Sequence, residues 1–369
     1  MQPENRVLHV FRIMNRGGAE TATMNIYRNL DRDKIQFDFI CMDTEEGEFD
    51  NEIYSLGGKI YRINPPSLHY IKHIKSIIKI CKEREYAAIQ IPTQFHSGVV
   101  CLAAYLAKIP VRIVYSHSAG DVSKNVIRKV YNHICRLLIN LFSTDKLACG
   151  ELAGKFLFGK KCKDFKILHN GIDLKNYYSI SKEEKEKVKK EFKIEDDDFV
   201  IGHVGSFKKL KNQVFFINIA KELIKEKKKF KIILVGDGED RKSIGNIIKE
   251  EGLENYFILP GIREDIPKIM SIFNVFVMPS LYEGFPMVII EALATLKNCV
   301  VSNNISQEVN IDNKSVAFLN LNDPVEKWID VIYKQSKRNI NKEERIKILI
   351  EKGFDIKSTI NELEKIYLR

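Results

Sequence analysis

Two glutamates with seven residues between them, Glu283 and Glu291, bracket the stretch of this chain best suited to chemistry. The stretch reads Pro279-Ser280-Leu281-Tyr282-Glu283-Gly284-Phe285-Pro286-Met287-Val288-Ile289-Ile290-Glu291-Ala292 and follows an apolar, β-rich run at 275–278. Pro286 suits the first position of a helix, where its missing N–H is an orphan in any case, so the pattern predicts a helix from about Pro286. The free amides there, with those of Gly284 and Phe285, favour a phosphate group, and glycine at 284 lets a ligand approach the backbone. Carboxylates accept pairs of hydroxyl protons. With Glu283 in the loop and Glu291 a little over one turn into the helix, the two address different parts of one extended ligand. A nucleotide-sugar, with ribose and hexose diols on either side of its phosphates, has that form. The plainer alternative is a helix start with Glu283 in the usual acidic place and Glu291 on a solvated face.

Other loops offer matching chemistry. Gly205-Ser206-Phe207-Lys208-Lys209-Leu210-Lys211-Asn212 is either a phosphate-binding loop or an exposed lysine cluster. Gly17 and Gly18 stand between a strand and a helix starting near Glu20, where they allow close approach of a ligand or simply make a tight turn. Neither this loop nor Gly236-Asp237-Gly238 has the G-x-G-x-x-G arrangement, so a nicotinamide cofactor is not expected. His117 follows a strand at 111–115 and could donate to a sugar hydroxyl or a reacting oxygen, or be a satisfied structural histidine. His9, His96, His169 and His203 take the structural reading. The sequence has no His/Cys/Asp/Glu cluster at ligand spacing and no DxD-like pair behind a strand, so neither a metal nor any other cofactor is expected.

These loops need strands and helices to hold them. Short β-rich runs at 7–13, 37–42, 59–63, 87–91, 111–115, 146–149 and 166–168 alternate with helical patterns, and the alternation restarts at 199–204, 231–235, 256–259, 275–278, 299–302 and 316–319. That order predicts an α/β protein of two Rossmann-like, doubly wound parallel-sheet lobes, with ligands in a cleft between their strand ends. The expected division is 1–178, 179–345, and a C-terminal helix at 346–369 packing back toward the first lobe.

The same residues carry a resemblance. Glu283 and Glu291 within PSLYEGFP and its helix are similar to the signature of the retaining glycosyltransferases of family 4, whose fold is the two-lobed GT-B type. Gly17-Gly18-Ala19-Glu20, Tyr115-Ser116-His117-Ser118, Asn170-Gly171-Ile172-Asp173 and Gly236-Asp237-Gly238 extend it over nearly the whole chain. The segments 14–21 and 302–309 resemble the branch that builds bacterial exopolysaccharide and capsule. The resemblance implies that Glu291 clamps the ribose, that Glu283 holds the donor sugar's hydroxyls, and that Gly284 and Phe285 offer amides near the phosphates. It implies Lys211 as the phosphate-binding lysine and His117 near the donor sugar, making His117, Glu283 and Lys211 the catalytic set. Gly17, Gly18, Gly205, Ser206, Lys208, Arg263, Pro286 and Val288 complete the donor-binding set. Ser206 stands where the family usually has arginine, so that either Lys208 or Lys209 supplies the missing cation or donor affinity is lower.

Composition bounds what remains. Hydrophobic residues at 44% and charged residues at 29% suit packed cores. The N-terminus lacks the pattern of a secretory signal, and seven scattered cysteines without CxxC spacing suit a reducing cytoplasm. The longest apolar stretch, about 98–107, is too short to span a membrane. The net charge of +10 suits phosphate-bearing substrates or an anionic membrane surface, and no groove-reading motif points to nucleic acid. The partners implied are a nucleotide-sugar, UDP by family habit, and a glycan acceptor, lipid-linked in the exopolysaccharide branch. A peripheral contact with the inner membrane face would use helices at 70–82 and 123–142, although ordinary packing on the sheet explains both equally. The rival functions are a sugar-nucleotide epimerase of the same two-lobed architecture and a non-catalytic polyanion binder.

Overall fold

Strands buried on both faces must be apolar nearly throughout, and the runs picked out above meet that demand in two parallel sheets. The computed structural model describes residues 5–66, 70–117 and 125–369. Ser118 of the histidine motif and the first two residues of the expected 123–142 helix lie outside the described residues. The first sheet comprises β1 (Asn5–Phe11), β2 (Ile35–Cys41), β3 (Ile60–Arg62), β4 (Ala88–Ile91), β5 (Val111–Ser116), β6 (Asp145–Ala148) and β7 (Lys166–Ile167), in the order β3-β2-β1-β4-β5-β6-β7. The second comprises β8 (Phe199–Val204), β9 (Phe230–Val235), β10 (Phe257–Gly261), β11 (Val275–Met278), β12 (Cys299–Ser302) and β13 (Val316–Leu319), in the order β10-β9-β8-β11-β12-β13. Both orders reverse direction beside their first strand, and loops at the carboxyl ends there are the usual ligand-binding positions.

The buried carboxylate inside the first sheet is answered by partners. Asp38, fully buried in β2, accepts from Arg6 at 2.8 Å, the Lys59 amide at 3.0 Å and the Tyr86 hydroxyl at 3.1 Å. Without them a buried carboxylate would carry its full desolvation cost. His9 is enclosed by Phe37 and Phe39, and burial lowers its pKa to about 3, so it stays a neutral core residue. Six cysteines are buried, Cys162 is half-buried, and all seven are free thiols.

Contacts divide the chain into one unit of 1–172 with 353–369 and another of 173–352. The first crossing lies before residue 178 because the short helix Leu174–Tyr178 packs on helices Ile266–Ser271 and Met287–Ala294 of the second unit. The second lies beyond 345 because helix Lys342–Glu351 packs on Met287–Ala294 and the chain turns at Gly353. The final helix, Ile356–Tyr367, belongs to the first unit. Ile172 donates its amide to the Phe354 carbonyl and accepts from the Ile356 amide. Gly171 makes this approach possible, since a Cβ there would lie 2.4 Å from the Thr359 hydroxyl.

The helix is fastened at its far end by Tyr367. Its ring is 1% exposed and meets Phe37 edge-on, and its hydroxyl donates to Gln90 Oε1 at 2.6 Å. Tyr367→Ala would leave a cavity and an unpaired Gln90, so the first unit should lose about 3–5 kcal/mol in urea unfolding. A loss below about 1 kcal/mol would show that the helix is not part of that unit's core.

Candidate functional site

The second unit gathers its chemistry where β8 and β11 end. Their ladder pairs Ile201 with Val275 and Gly202 with Phe276, and then His203 Nδ1 donates to the Val277 carbonyl at 2.9 Å. The loops leaving these strands are stitched together. Asn212, held at φ 55°, donates through its side chain to the Pro279 carbonyl at 3.0 Å, and the Leu281 amide donates to the Leu210 carbonyl at 2.8 Å. Gln213 donates to the Ser206 carbonyl at 2.8 Å, and the Phe207 amide to the Asp237 carbonyl at 2.9 Å. Gly236, at φ 133°, is obligatory, because a Cβ there would lie 2.2 Å from the Gly205 carbonyl.

Within this frame Lys211 Nζ and Glu283 Oε1 form an ion pair at 2.7 Å. The side chains are 19% and 15% exposed, so the pair is sheltered from most solvent screening. The Lys211 stem passes close to Gly205, its nearest carbons 3.7 Å from the place a Cβ would take. Glu283 is fixed by its backbone, which bridges Ile305, with the Ser306 amide donating to its carbonyl at 3.3 Å. The segment 302–309 is thereby explained as the prop under Glu283.

The helix begins one residue later than expected. Pro286 is its N-cap in extended conformation, φ −76° and ψ 106°, and the helix runs Met287–Ala294. Glu291 lies on it, and burial pushes its carboxyl up to about 7, with a hydrogen bond from the Tyr177 hydroxyl pulling the other way. Glu291 is therefore not on a solvated face.

Not every expected residue joins this group. Arg263 is engaged elsewhere: its guanidinium donates to Glu191 at 2.5 and 3.1 Å and to Asp265 at 2.8 and 2.9 Å. Ser206 and Lys208 are exposed in the same loop as Lys211, and Val288 is half-buried in the first turn of the helix. In the first unit, Gly17 caps helix Gly18–Asn29, and a Cβ on it would lie 2.2 Å from the Glu20 carboxylate. Burial raises the Glu20 pKa, so this corner presents a carboxyl that suits hydroxyls better than phosphates. His117 follows β5 with its ring 4.0 Å from that of Tyr115. Burial lowers its pKa to about 4, against a weaker opposing effect of the Asn170 side chain, so it is a neutral imidazole near pH 7. Tyr177 gave no sequence signal, because it acts through a fold contact rather than a motif, and Glu20 and Asn212 stood in quoted motifs without a role assigned to either.

A buried glutamate titrating near 7 leaves a stability signature. Its folded pKa lies above the ordinary carboxylate value, so the fold bears no charge cost below about pH 4 and bears it fully above about pH 7. Glu291→Gln, which keeps an acceptor for Tyr177, should raise Tm at pH 8, equivalent to roughly 1–3 kcal/mol, and leave it unchanged at pH 4. A pH-independent difference between the two proteins would show that Glu291 is not held in its buried state.

Known proteins match this chain along nearly its whole length. The family described as Glycosyltransferase Family 4 matches residues 16–176, and the family described as Glycosyl transferases group 1 matches residues 184–348. The chain is 34% identical to the putative glycosyltransferase EpsF of Bacillus subtilis over 375 residues, covering 99% of this chain and 96% of that protein. It is 29% identical to the capsular polysaccharide biosynthesis glycosyltransferase CapH of Staphylococcus aureus, covering 98% of both. It is 25% identical to the Escherichia coli UDP-Gal:alpha-D-GlcNAc-diphosphoundecaprenol alpha-1,3-galactosyltransferase, covering 98% of this chain and 96% of that protein. Among solved structures, HepE of Anabaena in complex with UDP superposes with a TM-score of 0.78 at 20% identity, covering 98% of each chain. A glycosyltransferase of Rickettsia africae gives 0.79 at 17% identity, covering 98% of this chain and 97% of that one. These structures share the GT-B fold. Two family matches that together take in both parallel-sheet units, and a relative 34% identical over nearly its full length, mean that this chain belongs to the family 4, group 1 glycosyltransferases.

Proposed function

We propose that this glycosyltransferase moves a sugar, with retention of configuration, from a UDP-sugar to a lipid-diphosphate-linked glycan during exopolysaccharide or capsule assembly. The observation that carries the reading is the Lys211–Glu283 pair set beside a helix start, with Glu291 on the same helix. Support for the donor comes from HepE, solved with UDP and with UDP-glucose. Support for the acceptor comes from the Escherichia coli galactosyltransferase and from the Campylobacter jejuni N-acetylgalactosaminyltransferase, both named for diphospho-undecaprenol acceptors.

In this reading the bond from the anomeric carbon to the β-phosphate oxygen breaks as the acceptor hydroxyl attacks from the face being vacated. The hydroxyl proton passes to the departing phosphate. Positive charge grows on the sugar and negative charge on the diphosphate, and Lys211 with the amides near Met287 oppose the latter. Lys208, exposed in the same loop, supplies further positive charge where Ser206 supplies none. Neutral His117 donates to a sugar hydroxyl. No metal takes part, so a chelator should leave turnover unchanged. The free thiols suit the cytoplasm, where nucleotide-sugars are made.

The test is a screen of UDP-, GDP- and TDP-sugars with and without a diphospholipid acceptor. UDP-sugars should be turned over, rapidly only with acceptor, and an α-linked donor should give an α-linked product. Conversion of the donor alone to an epimer would replace this reading with the epimerase, and a β-linked product would remove retention. Lys211→Ala should lower kcat/KM roughly 10²–10³-fold, the range for losing one preorganised group opposite a developing anion.

A further inference from the structure

The second unit holds a polar cavity of about 250 Å³ whose lining includes Asn298, Asp312, Lys314, Arg338 and Arg345. Asn298 immediately precedes β12, and the loop of Asp312 and Lys314 immediately precedes β13. Because β8, β11, β12 and β13 run parallel, the cavity lies at the amino edge of the sheet, opposite the carboxyl edge that carries Lys211 and Glu283.

Arg345 gives the cavity its chemistry. The residue is 5% exposed, so its guanidinium has left most of its water. Nη2 donates to Asn298 Oδ1 at 3.1 Å and Nη1 to the Lys297 carbonyl at 3.4 Å. A guanidinium has five N–H groups, and among the described residues these two alone find an acceptor. Asp312 stands 3.6 Å from Nε, an ion-pair distance too long for a hydrogen bond. Its carboxylate is already engaged, accepting from the Lys314 amide at 3.0 Å, the Ser315 amide at 2.8 Å and the Ser315 hydroxyl. Burial accordingly lowers the pKa of Arg345, with Asp312 opposing the shift. A buried charge satisfied this incompletely favours a ligand that completes it.

The sign of that ligand follows from the rim. Lys314 and Arg338 are exposed, and Arg338 Nη1 donates to the Lys314 carbonyl at 2.7 Å, which ties the second guanidinium to the same loop. The other carboxylate of the lining, Glu344, is exposed and solvated by water. A cation would meet three positive groups here, and a neutral polyol would leave the buried guanidinium without a counter-charge. A phosphate group brings several acceptor oxygens and negative charge together, in the geometry that arginine forks match. The cavity exceeds the volume of one phosphate, and Asn339 and Asn341 in its lining suit a small polar ester group.

We propose that this cavity is a second anion site, taking a phosphate group, free or carried on a small ester, with Arg345 at its buried end and Arg338 and Lys314 at its mouth. The site stands independently of the donor chemistry proposed above.

The experiment is calorimetric titration of the full chain with inorganic phosphate and, separately, with glycerol 3-phosphate, at constant ionic strength in chloride. Wild type should bind with a Kd below about 10 mM. Arg338→Gln combined with Lys314→Gln, both at exposed positions, should weaken binding at least about tenfold and leave sugar-transfer turnover unchanged. Arg345→Lys, which keeps the charge and loses the fork, should weaken it by a similar factor. Lys211→Ala should bind phosphate as wild type does. A tighter Kd for glycerol 3-phosphate assigns the site to an ester, and a tighter Kd for inorganic phosphate assigns it to the free ion. Absence of binding in wild type, or undiminished binding in the Arg338→Gln, Lys314→Gln protein, overturns the proposal. Binding lost in Lys211→Ala also overturns it, since the phosphate then belongs to the donor loops. If Arg345→Lys does not fold, the exposed pair decides.

Discussion

The Lys211–Glu283 ion pair is the contact around which the candidate site of the second unit is arranged. It joins the basic loop after β8 to the signature loop after β11, and each partner arrives already fixed by backbone contacts. Side chains held in this way need little reordering when a ligand arrives, and preorganised charge is what opposes a developing anion most effectively. The pair also keeps two half-buried charges from standing alone while the site is empty. Gly236 is part of the same device, because it lets two loops touch.

Glu291 works under a different constraint. It is buried by its own helix and by the short helix carrying Tyr177, so its ionised form is costly until something donates hydrogen bonds to it. Tyr177 donates one in the ligand-free protein. On the function proposed above a vicinal diol would donate two, and exchanging one donor for two would favour ribose at this carboxylate. The two glutamates, identical as letters in the sequence, thus differ in their surroundings: a lysine pairs with Glu283, and the Tyr177 hydroxyl donates to Glu291.

Most strands among the described residues were legible because buried parallel strands leave nearly continuous apolar runs, the exposed Lys166–Ile167 being an exception, and the strand ends differ from expectation by at most two residues. The Glu283–Glu291 segment was legible because its chemistry is local in sequence. Contacts made by the fold were not. Tyr177 reaches Glu291 from a five-residue helix more than a hundred positions away, and nothing about YY at 177–178 announces it. Arg263 looked available as a cation until the structure showed Glu191 and Asp265 already holding it. The helix Val126–Phe142 was ambiguous for a physical reason: a pattern apolar on two sides gives the same letters whether one side or both meet the core.

The division of labour between the two glutamates is tested most directly by titrating UDP, which has ribose and phosphates but no sugar, into Glu291→Ala and Glu283→Ala. Glu291→Ala should bind UDP at least about tenfold more weakly than wild type, as expected for the loss of a charged hydrogen-bond acceptor. Glu283→Ala should bind UDP as well as wild type does, with its defect confined to turnover of the UDP-sugar. Equal weakening of UDP in both proteins would contradict the account.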